Sequence, residues 1–320
     1  MIRREDIEPI SQRELVTSLA HHWTDTPIAF VRNFNNLVYR LPGTPTTYLR
    51  ITPETHRSPA QIESELQVIR YIGAHGDVAT SQPVPSRHGS DIHTAIAHGV
   101  IYSACVFDEA QGSSFVDTPP TDVWQFFREA GRTMGRLHTV LSCFEPSRGF
   151  VRFTWFEDRW AQFANYVPPS EHDAWDLFSE LRDWTAQLSQ GPEVFGLIHG
   201  DFTIANMHLD GSKITLFDSD GCCPHWWAYE IAVFLHYFSL KKVVNHERAY
   251  DSFLDGYAQV RSVTAPVLEA IPLFGKMRLL RSFMILAEEW GFDNLNTHQN
   301  AAFEQRRQLF RSSPIWPSGR

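Results

Sequence analysis

Three oxygen-bearing side chains at close spacing stand out in the second half of the chain. Asp201 lies in the run His199-Gly200-Asp201-Phe202-Thr203-Ile204-Ala205-Asn206, with Asn206 five residues beyond it. The apolar run Ile214-Thr215-Leu216-Phe217 then ends in Asp218. Carboxylate and amide oxygens are ligands that magnesium accepts, and a carboxylate beside them can orient or deprotonate a hydroxyl. Those are the parts phosphoryl transfer requires, since that reaction asks a protein mainly for positioning and charge neutralisation. A loop carrying Asp201 and Asn206, next to a hairpin strand ending at Asp218, would supply them.

Other constellations compete for attention. His199, Asp201, His208, Asp218 and Asp220 suggest a metal-hydrolase cluster. Against it, neither H-x-x-E-H nor H-E-x-x-H spacing occurs. Asp220 reads either as a supporting group behind a metal ligand or as a turn residue. Trp226-Trp227 and Tyr229 read as core packing or as a pocket wall. Arg278 and Arg281, three residues apart on a helical pattern, read as a solvated face or as a pocket for an anionic substrate. His21-His22 reads as a helix face rather than a ligand pair.

The elements that must position these groups follow from periodicity and turn signals. Ser11–His22 reads as a helix. Ala29–Leu41 holds two strands flanking the polar turn Asn33 to Asn36, and Thr46–Ile51 is a third strand after Pro42-Gly43. Arg50 sits near the end of that strand. Its guanidinium suits phosphate, although a solvent-facing charge is the plainer reading. Ser58 as N-cap, Pro59 at the first helical position and Gln61 three residues after the cap announce the next helix. Glu65 flanks its apolar stripe Ile62, Leu66, Ile69 and is placed to hold Arg50, whereas Glu63 falls further round. Two more strands are expected near Thr94–Ala97 and Tyr102–Phe107. Beyond them helices are expected at Val123–Val140, Trp155–Tyr166, Ala174–Leu188, Glu230–Leu240, Glu247–Val260, Ala265–Ile271 and Lys276–Glu289, with Pro266 in a first turn and an irregular end at Pro314–Arg320. The boundaries are 1–107 for a sheet-bearing nucleotide-binding lobe, 108–112 for a hinge and 113–320 for a helical lobe with the catalytic loop and substrate pocket.

Bulk properties narrow the classes. The 320 residues are 43% hydrophobic and carry a formal net charge of −9, enough for two lobes and without the basic tract of a nucleic-acid binder. Four cysteines without a C-x-x-C, two of them adjacent, read as reduced thiols and a cytoplasmic location. The charged start Met1–Asp6 lacks a signal-peptide core, and no apolar run reaches membrane-spanning length, so no membrane partner is expected.

The ordered series resembles the aminoglycoside phosphotransferase and choline kinase family of kinase-like small-molecule phosphotransferases. The similarity covers roughly residues 30 to 290. It is carried by Asn36-x-Val38-Tyr39, Tyr48-Leu49-Arg50-Ile51, Glu63-x-Glu65, Val84-Pro85, Phe107 to Gly112, Arg136-Leu137-His138, His199-Gly200-Asp201 with Asn206, Leu216-Phe217-Asp218 and Trp227-x-Tyr229-Glu230-Ile231-Ala232. The resemblance implies an α+β, protein-kinase-like two-lobe fold, with a small antiparallel-sheet lobe carrying one main helix and a larger, mostly helical lobe. It implies ATP, with GTP as an alternative, and Mg2+ as cofactors, and a small-molecule hydroxyl as acceptor, in a monomer or homodimer. Residue by residue, it implies that Asp201 orients or deprotonates the acceptor hydroxyl and that Asn206 and Asp218 bind magnesium. Arg50, paired with Glu65, contacts the α- and β-phosphates; the Asp108 carbonyl and Ala110 amide meet the adenine edge; Asn35 and Asn36 lie over the phosphates. Thr203, Ala205, Ser219 and Glu230 depart from common family choices, Glu230 standing where an Asp usually props the catalytic loop. A protein Ser/Thr kinase and a non-catalytic kinase-like binding protein are the alternatives. The lack of G-x-G-x-x-G and A-P-E signatures weighs against the first, and the retained acidic ligands against the second.

Overall fold

The computed structural model describes residues 12–75, 77–157, 160–239 and 245–312. The expected irregular end at Pro314–Arg320 and the charged start Met1–Asp6 lie outside them. Two compact units emerge. The first comprises Met1–Gly112, Phe144–Arg152 and Thr215–Asp220, and the second Ser113–Cys143, Phe153–Ile214 and Gly221–Arg320.

In the first unit, α1 (Arg13–Ala20) precedes the strands β1 (Ala29–Asn33), β2 (Leu37–Leu41) and β3 (Thr47–Pro53), which form the expected meander. After α2 (Pro59–His75) come β4 (Ala79–Thr80), β5 (His93–Ala97) and β6 (Val100–Asp108). The five-stranded sheet runs β1-β2-β3-β6-β5 and is antiparallel throughout. The short β4 pairs in parallel with the end of β10 (Lys213–Leu216), Leu216 opposite Thr80, and so draws Thr215–Asp220 into this unit. Leu15, Val16 and Leu19 of α1 pack with Leu37, Tyr39, Leu49 and Ile51 in one core cluster. Ile62, Leu66 and Ile69 of α2 pack with Cys105 of β6 in another. The α2 start is the reciprocal cap read from sequence: Gln61 N–H donates to Ser58 Oγ at 3.3 Å, and Ser58 N–H to Gln61 Oε1 at 3.0 Å.

The second unit holds β7 (Ser113–Ser114), α3 (Val123–Leu141), α4 (Phe163–Tyr166), α5 (His172–Thr185), β8 (Phe195–Ile198), β9 (Met207–Asp210), β11 (Cys223–Trp226), α6 (Trp227–Ser239), α7 (His246–Ala258), α8 (Ala265–Trp290) and α9 (Thr297–Arg311). β8 pairs antiparallel with β11 and β7 with β9. α3 and α7 cross closely: a Cβ on Gly131 would meet the Phe253 carbonyl oxygen at 1.9 Å, and one on Gly256 the Arg128 carbonyl oxygen at 1.9 Å. That approach sets His138 and Tyr257 beside each other, 2.8 Å apart across a hydrogen bond.

Three helical expectations need correction. The pair Ala265–Ile271 and Lys276–Glu289 is one helix, α8, which runs through Pro272. Proline removes one backbone donor, but Val267, Ile271, Phe274, Met277, Leu280 and Phe283 are buried at helical spacing on both sides of it, and packing holds the register. The helix expected over Trp155–Tyr166 is reduced, among the described residues, to a single turn at Trp160–Gln162 followed by α4. α9 was not foreseen, although Asn296 and Gln299 form a reciprocal capping box at its start.

None of the four cysteines forms a disulfide. No helix among the described residues is long and apolar enough to cross a membrane.

Candidate functional site

In the sheet unit the chemistry gathers around Arg50. β3 places it opposite Cys105 of β6, and its guanidinium lies over the Phe107 ring, 4.9 Å from the centroid. It is buried rather than solvent-facing, and it donates two parallel hydrogen bonds of 2.8 Å each to Glu65 Oε1 and Oε2. Helical spacing aims Glu65 at the sheet; Glu63 is exposed. A bidentate pair of this kind fixes the guanidinium plane as well as its charge. Burial and the neighbouring Glu65 carboxylate push the Cys105 thiol up to about 11, despite the opposing pull of Arg50.

Asp218 sits in the same unit with φ +62°, a left-handed backbone that few non-glycine residues adopt. Its carboxylate is 3.4 Å from Arg32 and 4.0 Å from Arg50. Burial raises its pKa and the Asp220 charge adds to that, while the two arginines oppose it. Asp220 is buried and fastened: His56 Nε2 is 2.6 Å and Arg57 Nε 3.4 Å from its carboxylate, and Arg152 donates to its backbone oxygen at 2.6 Å. Against the cost of burial, the contact with His56 and the neighbouring Arg57 and Arg50 hold its carboxyl far below the usual carboxylate range. Asp220 is therefore buried and ion-paired and not an exposed turn residue, and nothing in its sequence surroundings pointed to His56 as its partner.

The other residues expected on the nucleotide side are placed as follows. Asn36 is buried and accepts from Thr52 Oγ1 at 2.7 Å, so its side chain holds the turn between β1 and β2, while Asn35 beside it is half-buried. Asp108 ends β6; its carboxylate accepts from Gln82 N–H at 2.6 Å, and its own N–H donates to the Gln82 oxygen at 3.0 Å. Ala110, two residues on, is buried.

In the helical unit the loop that carries Asp201 converges on Glu230. Its carboxylate accepts from Gly200 N–H at 2.6 Å and His199 N–H at 3.2 Å, and His138 Nε2 lies 2.9 Å from it. Burial lowers the His138 pKa, so the ring is neutral, with Nε2–H facing Glu230 and Nδ1 accepting from the Tyr257 hydroxyl. The extra methylene of Glu230 thus still reaches both loop amides. Gly200 has φ +82°, and a Cβ there would meet the Gly221 carbonyl oxygen at 2.0 Å, so the loop needs glycine on both counts. Asn206 Nδ2 donates to Asp201 Oδ2 at 2.8 Å and to the Asp201 backbone oxygen at 3.0 Å. The amide oxygen Oδ1 takes no part in these two contacts. Sequence reasoning missed one contact: Arg278 of α8 donates to Asp201 Oδ1 at 2.9 Å, across 77 positions of chain.

Trp226, Trp227 and Tyr229 are buried as core residues rather than exposed as a pocket wall. Among the described residues no three His, Cys, Asp or Glu side chains gather as a metal cluster. A surface cavity of about 430 Å³ in this unit is lined by Pro119, Asp122, Gln125, Phe126, Leu209 and Ile214 among others, away from Asp201 and Arg278 in its lining.

Comparison with known proteins gives the family. A model of the "Phosphotransferase enzyme family" matches residues 28–267. An uncharacterised protein of Deinococcus radiodurans is 25% identical over 286 residues, 82% of this chain and 78% of that protein. A homoserine kinase of Sinorhizobium medicae is 31% identical over 176 residues, 52% of each chain, so this chain spans about half the length of the homoserine kinases it matches. Among solved structures, the amicoumacin kinase hAmiN in complex with AMP-PNP, Ca2+ and Ami superposes with a TM-score of 0.86 at 24% identity, covering 97% of this chain and 96% of that one. A microcompartment-associated aminopropanol kinase gives a TM-score of 0.76 at 22% identity, covering 93% and 95%. These two likenesses carry the fold, an antiparallel-sheet unit and a mostly helical unit of the kinase-like kind. With most of its length matched, the chain belongs to the phosphotransferase enzyme family.

Proposed function

We propose that this phosphotransferase moves the γ-phosphoryl group of ATP, with Mg2+, to a hydroxyl of a small molecule of the amino alcohol, amino acid, sugar or aminoglycoside type. The observation that carries the reading is the state of the catalytic loop. Asp201 is held by Asn206 on a loop whose two preceding amides are pinned by Glu230, so a carboxylate is fixed in place at a partly exposed position. Preorganisation of this kind supplies the orienting help that phosphoryl transfer uses.

The roles are proposed residue by residue. Asp201 orients the acceptor hydroxyl and takes its proton. Arg50, unable to swing because Glu65 holds both of its terminal nitrogens, contacts the α- and β-phosphates. The Asp108 carbonyl and Ala110 amide meet the adenine edge, and the backbone at Asn35 and Asn36 lies over the phosphates. Asn206 and Asp218 hold the metal. The donor set fits that ion: Asn206 directs its amide nitrogen to Asp201 and so offers an oxygen, and Asp218 is a carboxylate whose ionisation is disfavoured by burial and Asp220, a state that a dication would relieve. Held there, Mg2+ would neutralise charge developing on the transferred phosphoryl group.

The reading is tested by ADP release from ATP and Mg2+ against a panel of amino alcohols, hydroxy amino acids, sugars and aminoglycosides, with hydrolysis of ATP alone as background. Release that rises with one acceptor, together with a phosphorylated product, supports it. An ATP-binding protein that raises ADP with none of the classes contradicts it. The homoserine kinases and the amicoumacin and aminopropanol kinases among its relatives set which compounds are tried first.

A further inference from the structure

We infer that Arg278 is the specificity-determining residue of the acceptor site and that the preferred acceptor is an anion, a hydroxyl-bearing carboxylic acid whose carboxylate Arg278 takes. This deepens the kinase reading and rests on it for the identity of the hydroxyl.

The inference begins with the contact at Asp201. Both carboxylate oxygens are engaged: Oδ2 by Asn206 at 2.8 Å and Oδ1 by Arg278 at 2.9 Å. Any hydroxyl that bonds Asp201 therefore arrives within reach of a guanidinium. Only one Arg278 N–H is given to Asp201 in that contact, whereas a guanidinium presents five in a planar fork. A carboxylate carried a few bonds from the reacting hydroxyl matches the rest of the fork.

Charge in the surroundings points the same way. Asp201 alone would draw a cationic amine, but the pair it forms with Arg278 is neutral. Burial lowers the His225 pKa, and Arg281, one helical turn beyond Arg278 on α8, lowers it further. His236 is likewise held neutral, by burial first and then by Arg278 and Arg306. Two acids at the start of α5, which packs on α8, are already matched by α9: Glu171 lies 2.7 Å from Arg307, and Asp173 pairs with Arg311. Glu230 is committed to backbone amides and His138.

The α8 register explains why Arg278 reaches Asp201. Phe274, one turn earlier, is fully buried, its ring 5.6 Å from Trp226 and 5.9 Å from Tyr229. Met277 beside it is buried as well. With these anchors fixed, Arg278 projects from a rigid element, the arrangement that gives a recognition group its precision.

The test compares hydroxy acids with their primary amides, which keep the hydroxyl and the shape but lose the charge, in the wild type and in Arg278→Gln and Arg278→Lys. A charge-assisted contact of this type is worth about 10- to 100-fold in kcat/KM for the acid over the amide, expressed mainly in KM. Arg278→Gln brings that ratio close to one, and Arg278→Lys restores part of it. A ratio unchanged in Arg278→Gln, or a fall in kcat of equal size for acid and amide, assigns Arg278 to positioning Asp201 alone and overturns the inference. Turnover of amine acceptors with none of the acids overturns it too, while leaving the kinase reading standing. If no compound is turned over, the kinase reading fails instead. Calorimetric binding of the hydroxy acids then decides the present inference: weaker binding in Arg278→Gln supports it, and equal affinity overturns it.

Discussion

The sheet unit and the helical unit each contain an arginine paired with a carboxylate, and the two pairs are built for different ends. Arg50 and Glu65 are 7% and 0% exposed and share two hydrogen bonds. Arg278 and Asp201 are 16% and 40% exposed and share one. A fully buried, bidentate pair is costly to break and behaves as a fixed part. A half-exposed, single contact beside solvent exchanges partners at little cost. The first suits a phosphate contact that must not move, and the second an acceptor contact that must let ligand in.

That contrast can be broken most directly on the buried side. Glu65→Ala leaves the Arg50 charge buried without its partner, and we expect a loss of about 3–5 kcal/mol of stability in a denaturant titration. A loss below that of an ordinary surface change would mean that Arg50 finds water or another carboxylate, and that the pair is not fixed.

Acid should separate the units next. Both units carry charged pairs, but the helical unit also buries three imidazoles whose pKa values are lowered. His138, His225 and His236 all have pKa values lowered by burial, His236 to about 3 from an ordinary 6.5. Below the ordinary value the unfolded chain takes protons that the folded chain refuses, so stability falls as the pH drops from 6.5 toward 3. For His236 the slope approaches about 1.4 kcal/mol per pH unit between those two values. Thermal melts across that range should show His236→Gln with a shallower decline than the wild type; parallel declines would contradict the assignment.

Smaller effects sharpen the comparison. Ser58→Ala removes the cap that starts α2, the helix presenting Glu65, and should cost about 1 kcal/mol in the same titration. Arg278→Gln should change stability least, by about 0–1 kcal/mol, because its ion pair is partly solvated. A destabilisation approaching that of Glu65→Ala would make the two pairs alike.

The buried pair was legible in the sequence because both members obey local rules. Arg50 ends a strand, and Glu65 flanks an α2 stripe whose start is signalled by Ser58, Pro59 and Gln61. The ligand spacing of Asp201 and Asn206 was equally local. What escaped reading was tertiary. Arg278 meets Asp201 only because α8 continues through Pro272, and a proline eight residues into a helix reads as a break until the buried residues on both sides are seen. Arg278 and Arg281 alone could not separate a solvated face from a site. His56 and Asp220 are likewise joined by folding across 164 positions. α9 was missed although its Asn296–Gln299 box is a local signal, because its mean apolar content is low and only Phe303 and Phe310 of its residues are buried.

The central claim is that Asp201 serves phosphoryl transfer and not the architecture of its loop. It is tested most directly by kcat of Asp201→Asn with the best acceptor, measured beside ATP affinity. The asparagine keeps the side-chain shape but cannot take a proton, so kcat should fall by about 10²- to 10⁴-fold while ATP affinity holds. Unchanged turnover in this variant would contradict the account.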